Sequence, residues 1–227
     1  MQADEKTCHP LTLRQSHKLG LKMVAKGVPS IQCDDFFEVP QAARDFAIAA
    51  AFTQPGGGVY PGKVAAPDPD LPEICVIREY LLDIVNSHYL PRVPMTHQGH
   101  TIEKFEWADI DFSTVNIDPR ELSEMQRRPH VDDAAIFGLV YLNPEWRGGT
   151  LFFEQVEGEP VGYADGYCID TIPGFRLKGR ISGHFNQLAI YPGFVFHTGE
   201  IAGDWIEDDR RYTDPRVTMR VIFRERR

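Results

Sequence analysis

The chain has no Cys-x-x-Cys pair, no apolar run long enough to span a bilayer and no basic surplus, and each absence removes a class of function. Its four cysteines, Cys8, Cys33, Cys75 and Cys168, are widely separated. That spacing suits reduced thiols better than a disulfide framework or a zinc knuckle. The apolar stretches at residues 46–52 and 134–142 fall far short of the roughly 20 residues that a membrane helix needs. The opening segment carries Asp4, Glu5, Lys6, Arg14, Lys18, Lys22 and Lys26 without the hydrophobic centre of a secretory signal. We therefore expect a soluble, cytoplasmic protein. The formal net charge of −9 disfavours a surface built to neutralise nucleic-acid phosphates. The terminal arginines Arg220, Arg224, Arg226 and Arg227 read as a solvated chain end. There is no internal repeat and no low-complexity tract.

What is present fits one packed unit. At 227 residues, with 42% hydrophobic and 25% charged residues, the chain can bury a core and is neither disordered nor fibrous. We expect a single domain over residues 1–227. Residues 40–53 start with a proline and place Ala43, Phe46, Ala47, Ala50 and Ala51 at helical spacing. Residues 71–89 repeat the pattern with Ile74, Ile77, Leu81, Leu82 and Val85. Between them, residues 54–72 are rich in glycine and proline and read as a long loop or flap. From about residue 103 the period changes. Segments 110–117, 134–142, 150–154, 187–196 and 216–223 are rich in β-branched and aromatic residues and are separated by turn signals. The expected class is α+β: N-terminal helical support over about 1–102, then a double-stranded β-helix (jelly roll) over about 103–227.

Three features point to chemistry. In His130-Val131-Asp132, an extended chain sends the side chains of residues i and i+2 from one face, so an imidazole and a carboxylate can converge on one ion. A surface hydrogen-bonded pair is the plainer alternative. His197 ends the apolar run that begins at Leu188. Two imidazoles and one carboxylate would occupy one face of an octahedral iron and leave the other positions open. A buried, hydrogen-bonded histidine is the alternative there. Arg216 lies in the terminal strand segment Arg216-Val217-Thr218-Met219, where an apolar setting demands an anionic partner for the guanidinium. A small dicarboxylate would serve, and so would a salt bridge to Glu207, Asp208 or Asp209.

The stretch His130-Val131-Asp132, then Tyr141-Leu142-Asn143-Pro144-Glu145-Trp146 and Gly148-Gly149-Thr150-Leu151-Phe152, resembles the prolyl-hydroxylase-like branch of the Fe(II)/2-oxoglutarate-dependent oxygenases. The terminal Arg216-Val217-Thr218 resembles that superfamily's Arg-x-Ser. With His197, the matching motifs occur in order over roughly residues 103–225. Residues 60–62 and the string around His197 also resemble a poorly characterised bacterial subgroup. The resemblance implies that His130, Asp132 and His197 hold Fe(II), and that Arg216 pairs with the distal carboxylate of 2-oxoglutarate, assisted by Thr218 and Tyr141. It implies O2 as the oxidant, with release of succinate and carbon dioxide. Arg216 is further from His197 than in the most compact members, so residues 201–215 should be an insertion. Arg211-Tyr212-Thr213 is a competing Arg-x-Thr.

For the substrate, Asn116, Arg128 and Tyr60 are candidate contacts. Asn116 and Thr114 would lie on a strand leading toward His130. Residues 154–186 are polar and read as a lid, without a core strand. Gly148 and Gly149 read as a structural turn. The implied substrate is a small molecule such as an amino acid or natural-product intermediate. Two alternatives stand beside it: a protein or peptide side-chain hydroxylase of the same fold, and a cupin-like metal-binding or ligand-binding module that uses no 2-oxoglutarate.

Overall fold

Two prolines start the two helices, because a residue without a backbone N–H loses nothing in a helix's first turn. In the computed structural model, Pro40 opens α1 (Pro40–Ile48) and Pro72 opens α2 (Pro72–Asp83). The model describes residues 8–55, 60–117, 121–123, 126, 128–156, 171–172, 174–200 and 214–225. The first helix ends earlier than the sequence pattern suggests. The second continues as a π-helical segment (Ile84–Tyr89), so the expected helix over 71–89 becomes two connected pieces. Ile74, Ile77, Leu81, Ile84 and Val85 are buried at helical spacing and face the sheet.

Thirteen strands are described, and every described pairing is antiparallel. They are β1 (Gly20–Ala25), β2 (Val28–Cys33), β3 (Lys63–Ala65), β4 (Thr96–His97), β5 (His100–Thr101), β6 (Trp107–Val115), β7 (Ile136–Tyr141), β8 (Thr150–Gln155), β9 (Thr171–Ile172), β10 (Phe175–Ile181), β11 (Gln187–Pro192), β12 (His197–Gly199) and β13 (Arg216–Arg224). Seven form a large sheet in the order β1-β2-β11-β7-β13-β6-β3, and four form a smaller one, β12-β8-β10-β9. The architecture is mostly antiparallel β with few helices, as in a jelly-roll-like sandwich.

The large sheet has two unlike faces, and strand parity assigns them. Along β13, Val217, Met219, Val221 and Phe223 join the core beneath the helices, together with Phe112 of β6 and Val140 of β7. Each fully buried side chain of this size contributes about 1.5–3 kcal/mol. The opposite face carries Arg216, Thr218, Arg220 and Ile222. There Phe137, Leu139 and Tyr141 of β7 and Ala189 and Tyr191 of β11 pack against Phe152 and Ile181 of the small sheet. The candidate site residues lie around this second, inter-sheet layer.

Several expectations change. The N-terminal part is not purely helical support, because the β1–β2 hairpin joins the large sheet through β2 and β11. The flap region contains β3, which pairs with β6. The supposed lid contains β10, paired with β8 from Phe175↔Gln155 to Ile181↔Thr150. Arg176, Lys178 and Arg180 therefore sit on a sheet strand, while Tyr163 and Tyr167 lie outside the described residues. His197 does not end β11. That strand stops at Pro192, and the chain crosses to the small sheet, where His197 begins β12 opposite Phe152. Most of the expected insertion, including Arg211 and Thr213, lies outside the described residues.

Candidate metal centre

Two pairs of backbone hydrogen bonds bring the candidate ligands together. The His130 amide donates to the His197 carbonyl at 3.0 Å, and the His197 amide donates back at 2.9 Å. The Asp132 amide donates to the Gly193 carbonyl at 2.8 Å, and the Gly193 amide donates to that of Ala135 at 3.0 Å. A Cβ at Gly193 would run into the Ala134 carbonyl, so glycine permits this approach. Residues 130–132 thus lie alongside 193–197, and one candidate ligand atom from each of His130, Asp132 and His197 falls within 4.8 Å of the others.

The hydrogen-bond pattern determines what these atoms offer. The His197 Nδ1 lies 2.9 Å from the Val195 carbonyl. A carbonyl only accepts, so Nδ1 carries the proton and a neutral ring presents its Nε2 lone pair. That Nε2 faces Asp132 Oδ2 at 3.2 Å. Yet Oδ2 is buried and receives no well-directed hydrogen bond. The distance is short but the contact is poorly directed for a hydrogen bond, and both atoms are within reach of one ion. A cation resolves such a contact, and the ring held by a backbone carbonyl is the usual support of a metal-bound histidine.

Charge settles the same way. Burial alone would raise the Asp132 carboxyl, but His197, as a hydrogen-bond donor and positive charge when its ring is protonated, together with His130 and Arg220, holds it below its ordinary range. For His130, burial of the ring and the neighbouring His197 push the pKa down, although one side of the residue stays open to solvent. Both shifts favour the ligand forms, carboxylate and neutral imidazole. Phe137, Phe152 and Tyr191 pack around His197, with ring centroids 5.4–6.4 Å away. The donor set is two nitrogens and one oxygen, open on the His130 side.

Deeper in the layer, Arg216 is buried, and its Nη2 donates to the Gly149 carbonyl at 3.1 Å while its Nε has no partner. Its guanidinium carbon stands 5.9 Å from the centre of the Tyr141 ring. The turn that presents Gly149 needs both glycines. Gly148 has φ 95°, and a Cβ on Gly149 would overlap the Ile181 carbonyl. The Tyr141 hydroxyl pairs with Thr150 Oγ1 at 2.8 Å, and burial pushes its pKa up to about 12. Thr218 Oγ1 pairs with Ser113 Oγ at 2.7 Å. Within such a hydroxyl pair only one O–H is consumed, so one donor remains for an anion.

The substrate candidates fare unevenly. The Tyr60 ring lies 5.1 Å from the Arg220 guanidinium carbon, at the inter-sheet layer. Arg128 is exposed and stands over Phe175 at 5.6 Å. Asn116 lies just past the end of β6, and Thr114 has the parity of the helix-covered core. Asp111 and Ser113, opposite Arg220 and Thr218, occupy the inter-sheet face instead. Arg220 is not part of a solvated chain end. It forms a two-pronged pair with Asp111, Nε to Oδ1 at 2.6 Å and Nη2 to Oδ2 at 2.7 Å. The signal was present as acidic residues on alternate positions of one strand and arginines at every fourth position of another.

Comparison with known proteins places the chain. Residues 16–161, well over half of it, match the model of a family described as "Family of unknown function (DUF6445)". The chain belongs to that family. The matched region includes His130 and Asp132 but stops before His197 and Arg216. No curated protein matches. Among solved structures, a prolyl-4-hydroxylase from Pseudomonas putida shares 16% identity with a TM-score of 0.45, over 80% of this chain and 81% of that one. A bsmA homolog from Methylobium petroleophilum PM1 shares 14% identity with a TM-score of 0.37, over 69% of this chain and 52% of the other. No helix among the described residues is long and apolar enough to cross a membrane.

Proposed function

We propose that this chain is an Fe(II)- and 2-oxoglutarate-dependent oxygenase that oxidises a small molecule in the cytoplasm, its two sheets forming a double-stranded β-helix. The observation that carries the reading is Arg216. It is a buried guanidinium on the inter-sheet face, with an unpartnered Nε and no carboxylate partner among the described residues. A buried guanidinium with an unsatisfied N–H is costly, so the site has a place for one more acceptor, such as a carboxylate. A cupin-like metal module has no use for this arrangement. A dicarboxylate held at one end by a metal ion does.

His130, Asp132 and His197 would hold the iron. When bound, iron and 2-oxoglutarate supply the oxygen-activating chemistry, in which decarboxylation to succinate and carbon dioxide is coupled to substrate oxidation. The chain's own work is positional. Arg216 binds the far carboxylate through its fork, the Thr218–Ser113 pair offers one more O–H, and the Tyr141 ring walls one side. Phe137, Phe152 and Tyr191 exclude water from the side of His197 away from solvent.

A thermal-shift experiment tests the cosubstrate site. 2-Oxoglutarate should raise the melting temperature of the wild-type protein loaded with manganese(II), and should do so much less for Arg216→Ala. An equal rise in both removes Arg216 from the site.

A further inference from the structure

The inter-sheet face carries a second arginine that cosubstrate binding does not use. Row by row along β13 and β7, Ile222 is opposite Phe137, Arg220 is opposite Leu139, and Thr218 is opposite Tyr141. Phe137 packs against His197, whereas Tyr141 lies beneath Arg216. Arg220 is therefore one row from the metal end, and Arg216 belongs to the other end. Arg220 and Asp132 also interact electrostatically.

The surroundings of Arg220 leave one edge of its guanidinium available. Asp111 takes the Nε and Nη2 edge with both carboxylate oxygens. The Tyr60 ring lies 5.1 Å from the guanidinium carbon and stands against the group. Nη1 has no hydrogen-bond partner among the described residues. The pair is only partly withdrawn from water, with Arg220 and Asp111 side chains 20% and 21% exposed, so a solute can reach it. A guanidinium fixed in plane by a two-pronged carboxylate loses little freedom when it donates from its remaining edge.

Resting on the oxygenase reading above, we propose that Arg220, oriented by Asp111 and flanked by Tyr60, receives a carboxylate of the oxidised substrate. This makes the substrate a small organic acid, the class to which free amino acids belong. Arg216 then reads the cosubstrate's carboxylate and Arg220 the substrate's, from opposite ends of one sheet face. Asp111 is a positioning residue, since it acts through Arg220.

The test is ligand-observed saturation-transfer NMR on the purified, metal-free chain. The probes are free L-amino acids and simple aliphatic carboxylic acids, each compared with its own carboxamide. The expected result is binding of members of the acid set in preference to their amides. Arg220→Gln should weaken that binding by about tenfold or more, the size of one lost charge-assisted hydrogen bond, both in the wild type and in an Arg216→Ala background that lacks the cosubstrate's carboxylate receptor. Should Arg220→Gln unfold because Asp111 is left unpaired, the double variant Asp111→Asn/Arg220→Gln removes both charges and decides the matter in the same assay. No acid preference in the wild type overturns the proposal, as does a preference that Arg220→Gln leaves unchanged in the Arg216→Ala background. A preference lost in Arg216→Ala alone also overturns it, by moving the acid to the cosubstrate end. Because the assay needs neither metal nor 2-oxoglutarate, its failure is distinct from failure of the oxygenase reading.

Discussion

His197 Nε2 and Asp132 Oδ2 face each other at 3.2 Å, while the other ring nitrogen, Nδ1, is committed to the Val195 carbonyl. With Nδ1 donating to that carbonyl, the neutral ring turns its Nε2 lone pair toward the carboxylate, an arrangement that a cation between the two atoms satisfies. This relationship makes a prediction that a merely structural pair would not. Asp132→Asn puts an amide donor opposite Nε2, so the metal-free variant should be as stable as wild type or more so, by about 1 kcal/mol. Its stabilisation by iron(II) or manganese(II) should disappear. Paired melting curves with and without metal check both halves.

His130→Ala and His197→Ala should each weaken metal binding by at least about tenfold, since each removes one of three protein ligands. Titration with manganese(II), followed by electron paramagnetic resonance of the free ion, measures this directly. Wild-type affinity in either variant would dismantle the proposed centre.

Arg216→Ala should raise the 2-oxoglutarate concentration needed for half-saturation by at least about tenfold, because loss of one partner of a desolvated charge pair costs about 2–5 kcal/mol. Arg216→Lys should recover only part of this, since a point charge cannot reproduce the planar fork. Metal affinity should be unchanged in both. Cosubstrate dependence and metal binding measured on the same preparations separate this role from misfolding, which would damage the two together.

The segment that presents Arg216 is gripped from outside the site, and that grip should appear in stability. Arg44 of α1 is buried, pairs with Asp214 and donates to the Leu142 carbonyl at 3.0 Å. Arg147 pairs with the other oxygen of Asp214 at 2.6 Å. Asn143 donates to the Pro215 carbonyl at 2.9 Å and accepts from the Val217 amide at 2.7 Å. Burial lowers the Arg44 pKa and Asp214 counters it, which is the signature of a cation held by its partner. Arg44→Ala should destabilise the chain by about 1–3 kcal/mol, with Asp214 still paired to Arg147. Urea denaturation of Arg44→Ala, Asp214→Ala and the double variant should show coupling and not additivity.

How far the sequence reveals this arrangement depends on whether a residue's partner is local. The strands around 136–141, 187–192 and 216–224 are legible because burial writes apolar or alternating patterns into them. Two of the three proposed ligands are legible because they stand two residues apart in an extended segment. The β1–β2 hairpin is not, since Leu21, Lys22 and Met23 point largely to solvent and carry little periodic signal. β10 reads as a loop for a similar reason: Phe175 and Ile181 are buried at its ends, and the residues between are polar or half-exposed. The Asp111–Arg220 pair is illegible because its members lie far apart in the chain and meet only through the β6–β13 register. Local composition assigned Arg220 to a solvated tail, and strand pairing brought it inside.

The measurement that tests the central claim most directly is anaerobic difference spectroscopy of the purified chain with iron(II) and 2-oxoglutarate. The account predicts a weak visible charge-transfer band that requires both additions, is absent in Asp132→Ala, and needs much more 2-oxoglutarate in Arg216→Ala. No band in wild-type protein at saturating concentrations of both, with iron(II) shown to be bound, would contradict it.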